Sequence, residues 1–254
     1  MIRGIYAAAS GLVSNFRRQL IASNNVTNAT TTGYKQDLTT NSDFPSLLMS
    51  GSASRSGIAS SLNSLGKVGV GTELGDVQLD LSQGDLMETG NPLDLAINGA
   101  GFFAVQTPSG TLYTRDGTFF RDSEGRLARA DGGLLLSEDD APLQVGTGDI
   151  IVEGDGTVSS GGQTVGRIRV VDFDPTQRLL KLGSNYLAPE DPVTPEIAAA
   201  GAAISQGFLE RSNVDLARAS VEMITAVRSY EASQRMIQLQ DQTLDRAIND
   251  VGKV

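Results

Sequence analysis

Apolar side chains recur every third and fourth residue at both ends of this chain and every second residue through its middle. From the start, Ile2, Ile5, Ala9, Leu12, Phe16 and Val26 follow the spacing of a coiled-coil seam, with Gln19 and Ser23 as polar interruptions. Val13 and Leu20 widen the apolar face, so the segment also reads as an ordinary amphipathic helix on a globular core. The helix is expected to stop in the polar run Asn24, Asn25, Asn28, Thr30 to Thr32, because Asn and Thr hydrogen-bond their own backbone. Gly33 suits positive φ after a helix end, and Tyr34 suits an apolar anchor. At the other end a helix is expected over 213–251, with Ser212 or Asn213 as N-cap and Asp215 in the first turn. Its seam runs Leu216, Ser220, Met223, Val227, Tyr230, Gln234, Ile237, Asp241, Leu244, Ile248, Val251. Ala217, Val221 and Ile224 start a second stripe. Polar Gln234 and Asp241 would set register at some cost in stability. Such a helix is about 55 Å long, too long for a β body with a radius of gyration of roughly 14 Å to cover. Much of its apolar face needs another partner.

Between the helices the pattern is β. Alternation is clear over 76–81 and 93–97, and short apolar runs follow at 102–105, 112–113, 119–120, 134–136, 150–152 and 168–171. Asn98-Gly99, Asp116-Gly117, Glu124-Gly125, Asp131-Gly132-Gly133 and Asp155-Gly156 punctuate them as turns. No helical period intervenes, which favours an antiparallel sheet or barrel over βαβ units. Residues 46–71 are half Ser or Gly with scattered Leu47, Leu48, Met49, Ile58, Leu62 and Leu65, and read as an extended arm or a disordered loop. The fold class expected is α+β: an antiparallel β domain (76–206), an arm (37–75), and terminal helices (1–36 and 207–254) that pair as a coiled coil.

Composition narrows the chemistry. The 254 residues contain no His and no Cys. That removes the usual general base, the Ser-His-Asp and Cys-His pairs, disulfides and almost every zinc site. Twenty basic against thirty acidic residues, net charge −10, argue against nucleic acid and against a polybasic membrane patch. No run of about 18 apolar residues is present. Asn15, Arg17, Arg18 and Gln19 interrupt the start too early for a cleaved signal peptide, so export would use an uncleaved signal. Gly69-Val70-Gly71 and Gly99-Ala100-Gly101 read as turns, since neither opens a helix. Asp172 and Asp174 could hold calcium or serve glycoside hydrolysis, but Pro175 makes a strand end the simpler reading. Asp139-Asp140 and Glu153-Gly154-Asp155 look like solvated turns, and Ser10 has no His partner. No catalytic, cofactor or metal residue is nominated.

Several blocks together resemble a known family. Ala9-Ser10-Gly11-Leu12, Ser23 to Ala29, and Thr32-Gly33-Tyr34-Lys35 are similar to the N-terminal signature of bacterial flagellar rod, hook and hook-associated axial proteins. Thr89 to Ile97, Gly99 to Phe103, and Tyr113 to Phe119 resemble its central block; Gln206 to Glu210, Ser212 to Asp215, and Tyr230-Glu231-Ala232 resemble its C-terminal block. Val26-Thr27 stands where the family usually has Leu-Ala. The body size fits the proximal and distal rod proteins, and the long tail leans to the proximal type. The resemblance implies a subunit that self-associates, contacts other axial proteins and passes through the flagellar export apparatus. It implies terminal helices forming an inner tube, an arm bracing neighbours, and a β shell in the periplasmic rod. Interface residues implied are Ile5, Leu12, Phe16, Asn24, Asn25, Asn28, Gly33, Tyr34, Leu216, Met223, Val227, Tyr230, Ile237, Leu244 and Ile248. The competing readings are a β-rich peptidoglycan hydrolase resting on Asp172 and Asp174, and a surface glycan- or protein-binding module on a helical stalk.

Overall fold

The computed structural model describes residues 2–43, 47–50, 64–68, 72–174, 176–191, 195–199 and 201–249. The chain is α+β and divides into two compact units. One takes Met1–Val26, Asp37–Gln78 and Leu216–Val254; the other takes Thr27–Gln36 and Leu79–Asp215.

The first unit holds helix α1 (Ile2–Thr27) and helix α2 (Leu216–Asn249). It also holds the arm strands β1 (Asp37–Asp43), β2 (Leu47–Ser50), β3 (Ser64–Val68) and most of β4 (Thr72–Leu79). In the arm, β1 pairs with β4, and β2 pairs antiparallel with β3. Ile58, Leu62 and the Gly69-Val70-Gly71 turn lie outside the described residues. The helices run antiparallel. A Cβ added to Gly4 would meet the Gln240 side chain at 2.5 Å, one on Gly11 would meet Ser233 Oγ at 3.7 Å, and the Phe16 and Tyr230 rings are 6.2 Å apart.

The covered face of α2 differs from the expected seam at alternate positions. Met223, Tyr230, Ile237 and Leu244 are partly covered as expected. Ser220 and Val227 of that seam are also partly covered, but so are Ala219, Ala226, Ser233 and Gln240 beside it, while Leu216, Gln234, Asp241 and Ile248 are exposed. The buried polar position is therefore Gln240, whose Oε1 lacks a hydrogen-bond partner. Glycines on α1 and small residues on α2 let the backbones approach, which turns the pair by one residue relative to a seam of large side chains. The helix start also differs: α2 begins at Leu216, not at 213. Asn213 does not cap it because its side chain accepts from Gln36 N at 2.8 Å and donates to Asp80 O at 2.8 Å.

The second unit is β throughout. Its strands are β5 (Leu86–Glu88), β6 (Leu95–Asn98), β7 (Phe102–Thr107), β8 (Gly110–Thr114), β9 (Phe120–Arg121), β10 (Leu127–Ala128), β11 (Leu134–Leu135) and β12 (Ile150–Val152). There follow β13 (Thr157–Ser160), β14 (Gln163–Arg167), β15 (Val170–Asp172), β16 (Leu179–Gly183), β17 (Tyr186–Pro189), β18 (Ile197–Ala198), β19 (Ala203–Gln206) and β20 (Phe208–Glu210). The main sheet runs β16-β17-β8-β7-β11-β10-β9, with β15 joining β7 and β18; its strand pairs are antiparallel. Phe102 to Val105 are all buried because β7 is covered on both faces. Phe103 packs edge-on to Phe119 with Leu135 and Val158 on one side; Phe102, Tyr113 and Phe173 pack on the other. Strand β19 pairs with β6, and β20 pairs with β5.

Because Phe103 is fully buried, Phe103→Ala is expected to lower the stability of the β unit by about 3–5 kcal/mol. Urea denaturation followed by circular dichroism would read that loss, and a change near zero would mean the sheet core is misplaced.

Candidate functional site

The family-like blocks, far apart in sequence, meet in the second unit around one buried carboxylate. Glu210 ends β20, where pairing with β5 carries it inward, and its side chain is fully buried. Lys35 Nζ donates to Glu210 Oε1 at 2.6 Å and Arg115 Nη1 to Oε2 at 3.0 Å. Gly84 N donates to Oε1 at 2.9 Å. Each cation also donates to a carbonyl, Lys35 to Ser82 O at 2.6 Å and Arg115 to Gly99 O at 2.7 Å, and Arg115 Nε has no partner among the described residues. Desolvation holds the Lys35 pKa below its ordinary value, against the pull of Glu210. A buried charge persists only with such partners, so this cluster is a clamp whose ligands are all internal.

A second group lies around Asp116. Its Oδ1 accepts from Thr32 Oγ1 at 3.0 Å and from Thr118, and its Oδ2 accepts from Arg129 Nη2 at 2.8 Å. Gly33 sits against this segment at φ 67°, and a Cβ there would fall 2.4 Å from Asp116 N. That contact and the positive φ together require glycine. Tyr34 is buried with Lys181 Nζ 4.0 Å from its ring centroid. Below, Arg129 stacks 4.4 Å over the Tyr186 ring, and the Tyr186 hydroxyl donates to Asp131 Oδ1 at 2.8 Å. Burial, then that hydrogen bond, push the Tyr186 hydroxyl up to about 12.

A third group ties the points where the chain enters and leaves this unit. Asn213 and Gln36 bond to each other, and both bond to Asp80. In the first unit Asn25, 5 % exposed, exchanges two hydrogen bonds with the Asp37 backbone, at 2.9 and 3.0 Å.

The expected interface residues are therefore of two kinds. Asn25, Gly33 and Tyr34 are buried within the chain, and Asn28 is half-buried. Phe16, Leu216 and Ile248 are exposed at 47, 50 and 70 %, and Asn24 is exposed as well; Ile5, Leu12, Met223, Val227, Tyr230, Ile237 and Leu244 are half-covered. More large apolar side chains stand out on the helices than the seams named: Tyr6, Val13 and Leu20 on α1, Val221, Ile224, Met236 and Leu239 on α2. The acidic pairs serve local turns. Asp172 accepts from Phe173 N and Asp174 from Thr176, Asp155 accepts from Thr157, and Asp140 pairs with Arg169. Ser10 donates to Ala7 O at 2.9 Å. Sequence reasoning missed Lys35, Arg115 and Glu210 as a cluster. The available signal was that each is a charge inside a family-like block, Lys35 next to Tyr34 and Glu210 next to Leu209.

Comparison with known proteins gives two family models. "Flagellar hook protein FlgE/F/G D1 domain" matches residues 96–160, and "Flagellar basal body rod FlgEFG protein C-terminal" matches residues 205–250. The chain is 32% identical over 271 residues to the flagellar hook-basal body complex protein FlhO of Bacillus subtilis, covering 100% of both. It is 32% identical to the flagellar basal-body rod protein FlgG of the same organism, covering 98% of this chain and 99% of that one. It is 31% identical to the flagellar basal-body rod protein FlgF of Mesorhizobium japonicum, covering 98% and 97%.

Glu210→Gln leaves Lys35 and Arg115 buried without their counter-charge, so a loss of about 3–5 kcal/mol is expected in thermal or urea unfolding. The raised Tyr186 pKa makes stability fall as pH rises from 10.0, its unfolded value, toward 12. Tyr186→Phe should flatten that alkaline slope, read from melting temperatures across the same window.

Proposed function

The chain belongs to the flagellar basal-body rod protein family, and we propose that it is a structural subunit of the rod that polymerises through its terminal helices. In this reading α1 and α2 form a coiled-coil pair that packs against the pairs of neighbouring copies and of other axial proteins. They build the wall of a hollow shaft crossing the periplasm and carrying torque to the hook. The arm, residues 37–75, braces neighbours. The subunit arrives through the flagellar export apparatus without a cleaved signal, inserts in no membrane, and works without catalysis or cofactor.

The supporting observation is the division of side chains on the two helices. The face on which they meet uses Gly4, Gly11, Ala219, Ala226, Ser233 and Gln240. The large apolar residues Tyr6, Val13, Leu20, Val221, Ile224 and Leu239 remain 50–66 % exposed. Each is worth about 1.5–3 kcal/mol on full burial, so association with further helices is favourable. Charge opposes it. The β unit holds ten Lys and Arg against twenty-one Asp and Glu, a net −11, while the other unit carries +1. Repulsion between acidic β units keeps free subunits apart until contacts or salt overcome it.

Sedimentation velocity tests this. The intact chain should form larger species on concentration, more readily at about 300 mM salt than at about 30 mM, where the Debye length is several-fold longer. Leu20→Glu with Ile224→Glu should raise the concentration needed by at least about tenfold with melting unchanged. Undiminished association in that variant would remove the helices as the polymerising surface.

A further inference from the structure

The second unit also carries a polar cleft of about 440 Å³ that the clamp does not use. Its walls include Thr118, Arg129, Asp131, Ser184 and Asn185. Ser184 and Asn185 form the two-residue turn between β16 and β17 and both have positive φ, 48° and 59°. Neither is glycine, so the turn is held from outside. Thr114 Oγ1 donates to Asn185 O at 2.9 Å, Asn185 Nδ2 to Thr32 O at 2.9 Å, and Arg129 Nη2 to Ser184 O at 3.1 Å.

The groups left over are acceptors together with one buried donor, Arg129 Nη1, which makes no hydrogen bond among the described residues. Ser184 Oγ and Asn185 Oδ1 have no hydrogen-bond partner among the described residues. Asp131 uses Oδ1 for Tyr186 and Gly133, while its Oδ2 is 3.5 Å from Arg129 Nη1. We propose that this cleft binds a neutral, hydroxyl-rich glycan segment of about two sugar rings, within the usual volume of small-ligand sites. Hydroxyls donate to Asp131 Oδ2 and Asn185 Oδ1 and exchange hydrogen bonds with the Ser184 and Thr118 hydroxyls. Anionic sugars meet a lining in which Asp116 and Asp131 outnumber Arg129. Apolar ligands would strand the polar lining without partners. A single basic side chain from another protein would leave most of the volume unfilled. The pinned turn keeps the acceptors in place before the ligand arrives, which lowers the ordering cost of binding.

The proposal is independent of polymerisation, since every residue it uses belongs to the β unit. Chitobiose and maltose, with glucose 6-phosphate as the anionic comparison, are titrated into the intact chain and followed by amide NMR. The neutral sugars should give saturable shifts at residues 116–118, 129–131 and 184–185, with Kd in the range of about 0.1–10 mM. Glucose 6-phosphate should bind at least about tenfold more weakly. Ser184→Gly suits the positive φ and should keep the melting temperature while weakening binding about tenfold or more; Asn185→Gly should weaken binding as much and, having lost the bond to Thr32 O, melt somewhat lower. Absence of saturation up to about 50 mM of either neutral sugar, a Kd too weak to signify, would overturn the site. So would shifts centred elsewhere, or affinity unchanged in both glycine variants.

Discussion

A carboxylate stripped of water needs counter-charges in fixed places, and Glu210 obtains them from residues 175 and 95 positions away, Lys35 and Arg115. That demand organises the β unit. It pulls the 27–36 loop in beside the sheet, holds β20 against β5, and anchors the segment after Tyr113. The Ser82, Gly99 and Ile97 carbonyls take further donors of the two cations and fix their positions, while Arg115 Nε is left without a partner among the described residues. An apolar cluster of equal volume would be as stable, but it would not specify which three segments meet. The Asn213–Gln36–Asp80 bonds extend the same logic to the points where the chain leaves the unit.

The helices follow a different rule. Close approach demands small side chains, so the face α1 shares with α2 includes glycine and serine beside the Phe16–Tyr230 pair, and many of the large residues are displaced to the outside. For a protein that functions alone this would be a poor use of leucine, phenylalanine and isoleucine. In the proposed rod subunit it would reserve apolar area for contacts with further helices.

Charge is distributed to match. The whole acidic excess of the chain lies on the β unit, and the helical unit is close to neutral. Apolar attraction and electrostatic repulsion therefore reside in different parts of the chain. In the proposed assembly one would set where copies join and the other the conditions under which they do.

Periodicity alone located both helices to within three residues, the β character of the body, and the turns at Gly99, Gly125, Gly132 and Gly156, because these depend on local backbone preference and on side-chain alternation. Charge and the missing His and Cys limited the chemistry for equally local reasons. Which face of α2 turns toward α1 was not legible, because the seven-residue repeat allows two neighbouring registers and only the steric fit of Gly4 against Gln240 and Gly11 against Ser233 selects one. The start of α2 was displaced because Asn213 is a better partner for Gln36 and Asp80 than for its own helix. The Lys35–Glu210–Arg115 cluster and the Ser184–Asn185 cleft were invisible in sequence because charge pairing across 175 residues, like the pinning of a strained turn by Thr32 and Thr114, exists only once the sheet has closed. Local propensity decided the elements of this protein; burial decided which of their polar groups had to find one another.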